Sequence, residues 1–341
     1  AIVQPLLDWY DAGHRDLPWR SEPTPYRVWV SEIMLQQTRV EAVRGYFSRW
    51  MNALPDIPAL AAADEAVYTK LWEGLGYYSR VRNLHRAAVL LCEQYGGELP
   101  ADYDKLLSLP GVGEYTAGAV ASIAFGLPVP AVDGNVLRVA ARLDNDFTPI
   151  TDAKFKKQTR ERFAALMPSD RPGDLNQSLM ELGATVCLPN GAPRCADCPI
   201  QHLCEGFHRG NAAVLPLRAA KKARRVENRT VLVVRCGQLV GLRQRPKKGL
   251  LAGLWELPSL DGHLSPDELR AALTEMGWSV RKLLSLRPAR HIFTHVEWHM
   301  NGVYVELDAP APALTFVTPA ELRDAYALPS AFRSFVSVLE D

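Results

Sequence analysis

Apolar side chains recur at Val30, Ile33, Met34 and Val40, a spacing that predicts helix across the stretch from Tyr26 to Met51. A further helix is predicted from Asp64 through Trp72, stopping at Gly74 and Gly76, and another from Arg80 to Tyr95, ended by Gly96 and Gly97. Leu106 to Ala124 reads as two helices interrupted by Pro110-Gly111-Val112-Gly113, and Val136 to Leu143 and Asp152 to Met167 as two more. No run with the alternation of a strand stands out before about residue 208.

The pattern changes near residue 210. Arg218 to Arg229 holds six basic residues against one acid, Glu227, and reads as an exposed linker. Strands are predicted from Thr230 to Arg235 and from Leu239 to Leu242, turning at Cys236-Gly237-Gln238. Val296 to Leu307 is predicted as a second hairpin, turning at Asn301-Gly302. Ser265-Pro266-Asp267-Glu268 and Thr318-Pro319-Ala320-Glu321 each have the hydroxyl, proline and glutamate of a capping box, and so announce helices. The expected organisation is a helical domain over residues 1–210, a basic linker over 211–228 and a mixed α+β domain over 229–341.

The chain has 341 residues, 48% of them hydrophobic and 23% charged, an ordinary composition for a globular protein with a sizeable core. A net charge of +1 excludes a polycation, so any nucleic-acid surface must come from local patches. The longest uncharged run, Tyr115 to Val132, is broken by Gly126, Pro128 and Pro130 and reads as a buried core helix rather than a membrane span. The first residues lack the basic and apolar segments of a signal peptide. A cytoplasmic protein of the bacterial cytosol, without membrane contact, is expected. Four of the six cysteines, Cys187, Cys195, Cys198 and Cys204, are spaced C-x7-C-x2-C-x5-C. Thiolates this close can hold one tetrahedral zinc or one [4Fe–4S] cluster, and spacing alone does not decide between them.

Two further segments invite chemistry. Leu109-Pro110-Gly111-Val112-Gly113 permits a tight turn that leaves the next helix's N–H groups pointing outward, where a phosphate would suit them; a plain helix–helix turn is the blander reading. About twenty residues on, Pro128-Val129-Pro130-Ala131-Val132-Asp133-Gly134-Asn135 places a carboxylate just before a helix, where by itself it would be a cap. Together the two resemble the helix-hairpin-helix, Gly/Pro…Asp signature of base-excision DNA glycosylases. Ser31-Glu32-Ile33-Met34-Leu35-Gln36-Gln37-Thr38-Arg39-Val40 and Trp72-Glu73-Gly74-Leu75-Gly76-Tyr77-Tyr78-Ser79-Arg80 resemble the MutY group of that superfamily. Glu32, Gln36 and Arg39 are expected on one helix face at i, i+4 and i+7, a pattern that a solvated polar stripe would also give.

The resemblance implies a helix-hairpin-helix glycosylase fold for residues 1–210, with one [4Fe–4S] cluster on the four cysteines in the 187–204 segment. Here the first cysteine spacing is one residue longer than is usual in endonuclease III-like relatives. It implies a monomer acting on double-stranded DNA, removing adenine mispaired with 8-oxoguanine or guanine by flipping the nucleotide out of the stack. Glu32 would then be the general acid and Asp133 the carboxylate that stabilises the oxocarbenium-like transition state, with Tyr115 and Asn135 orienting them and the attacking water. Gln37 and Tyr77 would fill the gap in the helix, and Gln36, Thr38, Arg39, Leu109, Gly111, Val112 and Gly113 would complete the DNA contacts. Strand-cleaving relatives carry lysine where this chain has Tyr115, so a monofunctional enzyme is expected. Residues 229–341 resemble the MutT-like domain of the same group but lack the acids of the Nudix box that hold Mg²⁺, which makes them a recognition module. Phe293-Thr294-His295 resembles its loop for oxidised guanine; a hairpin turn with a core phenylalanine is the blander reading. Three rivals remain: a lyase for oxidised pyrimidines, a nucleotide hydrolase and a non-enzymatic DNA sensor.

Overall fold

The computed structural model describes residues 1–189, 191–218 and 223–339. Lys221 and Lys222 of the basic stretch lie outside the described residues. The first part of the chain is helical: α1 (Val3–Gly13), α2 (Pro25–Leu35), α3 (Val40–Ala53), α4 (Ile57–Ala62), α5 (Glu65–Leu71), α6 (Ser79–Tyr95), α7 (Tyr103–Leu107), α8 (Glu114–Phe125), α9 (Gly134–Leu143), α10 (Ala153–Ala164), α11 (Pro172–Thr185) and the single turn α12 (Glu205–His208). The chain divides into two compact units, one of residues 1–63 with 82–220 and one of residues 64–81 with 221–341. Among the described residues no helix is long and apolar enough to cross a membrane.

In the first unit α11 packs against both α1 and α9 around Leu6, Val139, Leu143, Phe163, Leu175, Leu179 and Leu182. The uncharged run from Tyr115 becomes α8, which is buried along most of its length and ends at Gly126 in the left-handed conformation. Its small residues let neighbours come close. A Cβ on Gly118 would collide with the carbonyl of Pro130, in the loop that leads to Asp133. Asn176 on α11 fixes that loop from the other side, accepting from Ala131 N at 2.9 Å and donating to Val129 O at 2.9 Å.

The helix predicted from Tyr26 to Met51 is two helices. α2 starts at a Thr24 cap with proline in its first turn and ends at Leu35; α3 starts at Val40. Gln37 between them has φ of +58°, a left-handed conformation that no helix interior accommodates. Glu32, Gln36 and Arg39 therefore do not share a helix face: Glu32 is on α2, Gln36 is its C-cap and Arg39 is the N-cap of α3.

The second unit holds a mixed sheet of β1 (Arg225–Cys236), β2 (Leu239–Gln244), β3 (Trp255–Glu256), β4 (Ser259–Asp261), β5 (Val280–Ser285), β6 (Ala289–Ile292), β7 (Val296–Leu307) and β8 (Thr315–Val317), with helices α13 (Pro266–Glu275), α14 (Pro319–Ala325) and α15 (Arg333–Val336). The central order is β3-β2-β1-β7-β5; β1 and β7 run parallel from Arg225↔Val296 to Arg235↔Glu306, and the other pairs are antiparallel. Alternate β1 residues serve two cores. Val231 and Val233 meet Trp298, Met300, Phe332 and Phe335, whereas Leu232 and Val234 meet Leu269, Leu273 and Trp278. Both predicted capping boxes form, at Ser265–Glu268 and Thr318–Glu321.

Two expectations are corrected here. Val296 to Leu307 is one continuous strand, not a hairpin at Asn301-Gly302. Those two residues sit in the parallel ladder opposite Thr230 and Val231. Gly302 is there for space: a Cβ would come within 2.7 Å of Phe335 Cδ1. The basic stretch is also not linker throughout, because β1 begins at Arg225, and Glu227 gathers Arg225, Arg229 and the indole N–H of Trp298.

Candidate active site

α2 buries Trp29, Val30, Ile33 and Met34 and carries Glu32 in with them, leaving the carboxyl 6% exposed. Its partner is Tyr115, in the first turn of α8, whose hydroxyl donates to Glu32 Oε2 and also lies 3.2 Å from Met180 Sδ. Asp133 is the N-cap of α9. Its Oδ1 accepts from Asn135 N at 2.9 Å and Val136 N at 2.8 Å, and its Oδ2 from Asn135 Nδ2 at 2.6 Å. The capping role read as the bland alternative is therefore real, and it coexists with a place in a cleft of about 870 Å³.

That cleft gathers Glu32, Gln36, Gln37, Thr38, Gly113, Tyr115, Asp133 and Asn135. Its size is that of a small-molecule or nucleotide site. Lys156, Lys157 and Arg160 of α10 line it, which gives basic groups to a wall of a protein whose net charge is only +1. Gln36 is steered inward by donating to Thr116 Oγ1 at 3.2 Å.

Burial acts on both carboxyls, but their hydrogen-bond partners differ. Burial pushes Glu32 up to about 7, helped by the charge of Asp133; the Tyr115 bond and Arg20 pull the other way. Burial also raises Asp133, but three N–H donors and the nearby Arg138 hold its charge in place. One carboxyl is thus suited to stay protonated near neutrality and the other to carry charge, the division of labour of an acid-catalysed glycosidic cleavage.

Arg39, Leu109, Gly111 and Val112 do not line the cleft. Leu109 and Val112 are buried, so their side chains anchor the hairpin. Gly111 is exposed with φ of +76°, and a Cβ would approach Asn83 Cβ at 2.6 Å. What this turn offers a ligand is its backbone and the N-terminus of α8, capped by Gly113 with no side chain.

Sequence reasoning missed several groups. Arg15 and Arg20, both partly buried, and the buried Glu181 form an ion network in the cleft wall. Arg138 of α9, also buried, donates to Asn135 Oδ1 at 2.7 Å and to Cys187 O at 2.7 Å, joining the Asp133 loop to the cysteine segment. A lone charge in the otherwise uncharged Leu175–Leu182 run was the one available signal; its partners, about 160 residues away in the chain, left none.

Cys187, Cys195, Cys198 and Cys204 are free thiols around one small cavity of about 30 Å³. Arg142 Nη1 donates to Cys187 Sγ at 3.1 Å, and Cys204 Sγ donates to Arg142 O at 3.3 Å. Among the described residues no three or more His, Cys, Asp or Glu side chains are grouped to hold a metal ion. Four sulfur atoms around one pocket, with a guanidinium to balance thiolate charge, nonetheless have the donor chemistry that an iron–sulfur cluster uses. Burial pushes the Cys198 thiol up to about 11 and also raises Cys195 and Cys204, so a bound cationic centre would favour their thiolate forms.

In the second unit Phe293, Thr294 and His295 form the turn between β6 and β7, closed by Phe293 N donating to Val296 O at 2.8 Å. Phe293 packs edge-on against Trp298 at 4.9 Å, which leaves Thr294 and His295 exposed. The Thr294 hydroxyl lies 2.9 Å from the hydroxyl of Tyr77, itself half-exposed and held in a left-handed backbone with φ of +47°. The candidate wedge and the candidate sensing loop therefore meet.

Comparison with known proteins bears on both units. Residues 30–166 match the HhH-GPD superfamily of base excision DNA repair proteins, and residues 230–338 match the NUDIX domain. A thermostable thymine-DNA glycosylase superposes with a TM-score of 0.54 at 27% identity over 61% of this chain and 95% of that one. Endonuclease III in a non-covalent DNA complex gives 0.53 at 25% identity over 61% and 94%. The adenine DNA glycosylase of Mus musculus is 38% identical over 98% of this chain and 77% of its own length, and that of Homo sapiens 35% over 94% and 70%. With a carboxyl pair in a helical cleft, a Nudix domain later in the chain and this identity across nearly the whole length, the chain belongs to the adenine DNA glycosylase family.

Proposed function

We propose that this chain removes adenine from double-stranded DNA in base excision repair, and that it prefers adenine opposite 8-oxoguanine. The observation that carries the reading is the carboxyl pair of one cleft: Glu32, raised to about 7 by burial, and Asp133, its charge held by three N–H donors. An adenine nucleotide must leave the stack to enter the cleft, at a cost of a few kcal/mol that a mispair lowers. Glu32 then delivers its proton to N7 of the base, and the bond between sugar C1′ and the base breaks with its electron pair going to adenine. Asp133 stabilises the positive charge left on the sugar. Water adds at C1′ and gives up a proton to the carboxylate of Glu32, which restores the acid.

Tyr115 holds Glu32 and Asn135 holds Asp133. Tyr115 has no amine to form a Schiff base, so the strand should remain intact after base loss. Gln37 and Tyr77 fill the vacated space. Gln36, Thr38 and Arg39, with the hairpin from Leu109 to Gly113, contribute DNA contacts, and Lys156, Lys157 and Arg160 offer positive charge to the backbone. Phe293 supports Thr294 and His295 as hydrogen-bonding groups for the oxidised guanine. In residues 229–341, Glu268 is already engaged in its capping box, and the domain acts as a recognition module. Cys187, Cys195, Cys198 and Cys204 hold one [4Fe–4S] cluster that organises the loop beside α9, and the protein acts as a monomer.

Single-turnover excision on duplexes holding adenine opposite 8-oxoguanine, guanine or thymine, with and without alkali, tests the proposal. Loss fastest opposite 8-oxoguanine, with strand breaks only after alkali, is the expected result. Breaks without alkali, or no adenine loss, would favour a lyase for oxidised pyrimidines. Iron and sulfide analysis of purified protein checks the cluster, and stoichiometric zinc in a colourless protein would replace that assignment.

A further inference from the structure

We propose that Glu181 is a positioning residue for the reaction: its negative charge, clamped between Arg15 and Arg20 in the cleft wall, keeps Arg20 from drawing the proton off Glu32. The inference rests on the reading of Glu32 as the acid.

The geometry is specific. Glu181 on α11 is a buried carboxylate, its side chain 2% exposed. Arg15 Nε donates to its Oε1 at 2.7 Å and Arg15 Nη2 to its Oε2 at 2.9 Å, a bidentate clamp, and Arg20 Nη2 donates to Oε2 at 2.9 Å. Arg20 is further fixed by donating from Nη1 to Arg15 O at 2.9 Å. All three side chains and Glu32 line the same cleft.

Besides burial, three groups act on the Glu32 proton. Tyr115 of α8 donates to it, Asp133 before α9 repels its ionised form, and Arg20 from the loop before α2 favours that form. Lys156, Lys157 and Arg160 of α10 line the cleft too, with Arg160 paired to Glu114. Of the cations in this set, Arg20 is the one whose charge pulls on Glu32, and Glu181 is the anion bonded to Arg20. Burial works against the Glu181 charge, yet the two arginines hold it down to about 2, so it stays ionised wherever the enzyme works. Without it, a partly buried guanidinium would face the acid uncompensated, where charges are less screened than in bulk water. The acid would then lose its proton at lower pH.

The test is the pH dependence of single-turnover adenine excision by wild type, Glu181→Gln, Glu181→Asp, Arg15→Gln and Glu32→Gln. The midpoint of the basic limb is expected to fall by about one pH unit in Glu181→Gln, a loss of about tenfold above the midpoint with little change below it. Glu181→Asp keeps the charge and should keep the wild-type midpoint. Arg15→Gln leaves Glu181 bonded to Arg20 alone, so its charge offsets Arg20 more fully and the midpoint should rise; this variant decides the matter if Glu181→Gln does not fold. A uniform loss of rate at every pH in Glu181→Gln, or no rise in Arg15→Gln, would overturn the proposal by making the network merely structural. Glu32→Gln separates the two levels. If it excises adenine at the wild-type rate, the acid is misassigned and this inference falls with it. If it is inactive and the midpoints do not move, only the role of Glu181 fails.

Discussion

At Glu32 the requirements of folding and of catalysis favour the same protonation state. Its folded value near 7 lies above the ordinary 4.5, so burial is favourable while the carboxyl is neutral. The stabilising contribution is complete below pH about 4.5 and is lost as pH rises through about 7. Glu32→Gln, neutral at every pH, should therefore melt higher than wild type at pH about 8.5 and much the same at pH about 5, by an amount on the order of a few kcal/mol. Melting curves at the two pH values check this, and equal shifts at both would contradict it. Asp133 is different because it both caps α9 and faces the cleft. Asparagine caps helices nearly as well, so Asp133→Asn should keep the fold and DNA binding while losing excision. Unchanged turnover in a single-turnover assay would remove Asp133 from the mechanism.

Among elements, α9 carries the most. Its N-cap is Asp133, its first turn supplies Asn135, and one and two turns on Arg138 and Arg142 reach the cysteine segment. The helix can sit where it does because α11 presents Gly183 to it; a Cβ there would lie 2.5 Å from Asn135 Cβ. Gly183→Ala should push Asn135 away from Asp133, with a stability loss of about 1–3 kcal/mol as for overpacked cores and a clear fall in excision rate. Urea denaturation and the excision assay read the two effects, and an active, stable variant would show that the contact relaxes freely. These features were unequally legible in advance. The hairpin from Leu109 to Gly113 and the turn before Asp133 stood out because glycine, proline and a capping carboxylate mark chain geometry locally. The break after Leu35 did not, because a left-handed glutamine carries no such mark.

For the molecule as a whole, the chain order and the compact units disagree. Residues 64–81 lie within the helical half of the sequence, yet they cluster with residues 221–341. Lys70 Nζ donates to Tyr326 O at 3.1 Å, and Glu73 Oε1 accepts from Leu328 N at 2.7 Å. A chain truncated after residue 220 should therefore leave residues 64–81 without these partners. Hydrogen exchange in that segment, Tyr77 included, is expected to quicken by about tenfold or more relative to full length, since local opening sets exchange. Unchanged protection would mean that the segment is ordered without residues 221–341.

The sequence by itself determined the local features: which stretches could be helix, where capping boxes start them, which four cysteines belong together and which two carboxyls deserve pairing. Each of these rests on side chains a few residues apart or on a motif read whole. The tertiary structure decided everything that depends on distant neighbours. Asn301-Gly302 looks like a turn until Phe335 explains the glycine, and the Glu32 carboxyl is raised only when the fold buries it beside Tyr115 and Asp133. Glu181 is one more polar residue on a helix until Arg15 and Arg20 arrive from the far end of the unit. Burial and charge pairing are properties of the folded arrangement, and so the chemistry of the cleft appears only once the chain has been brought together.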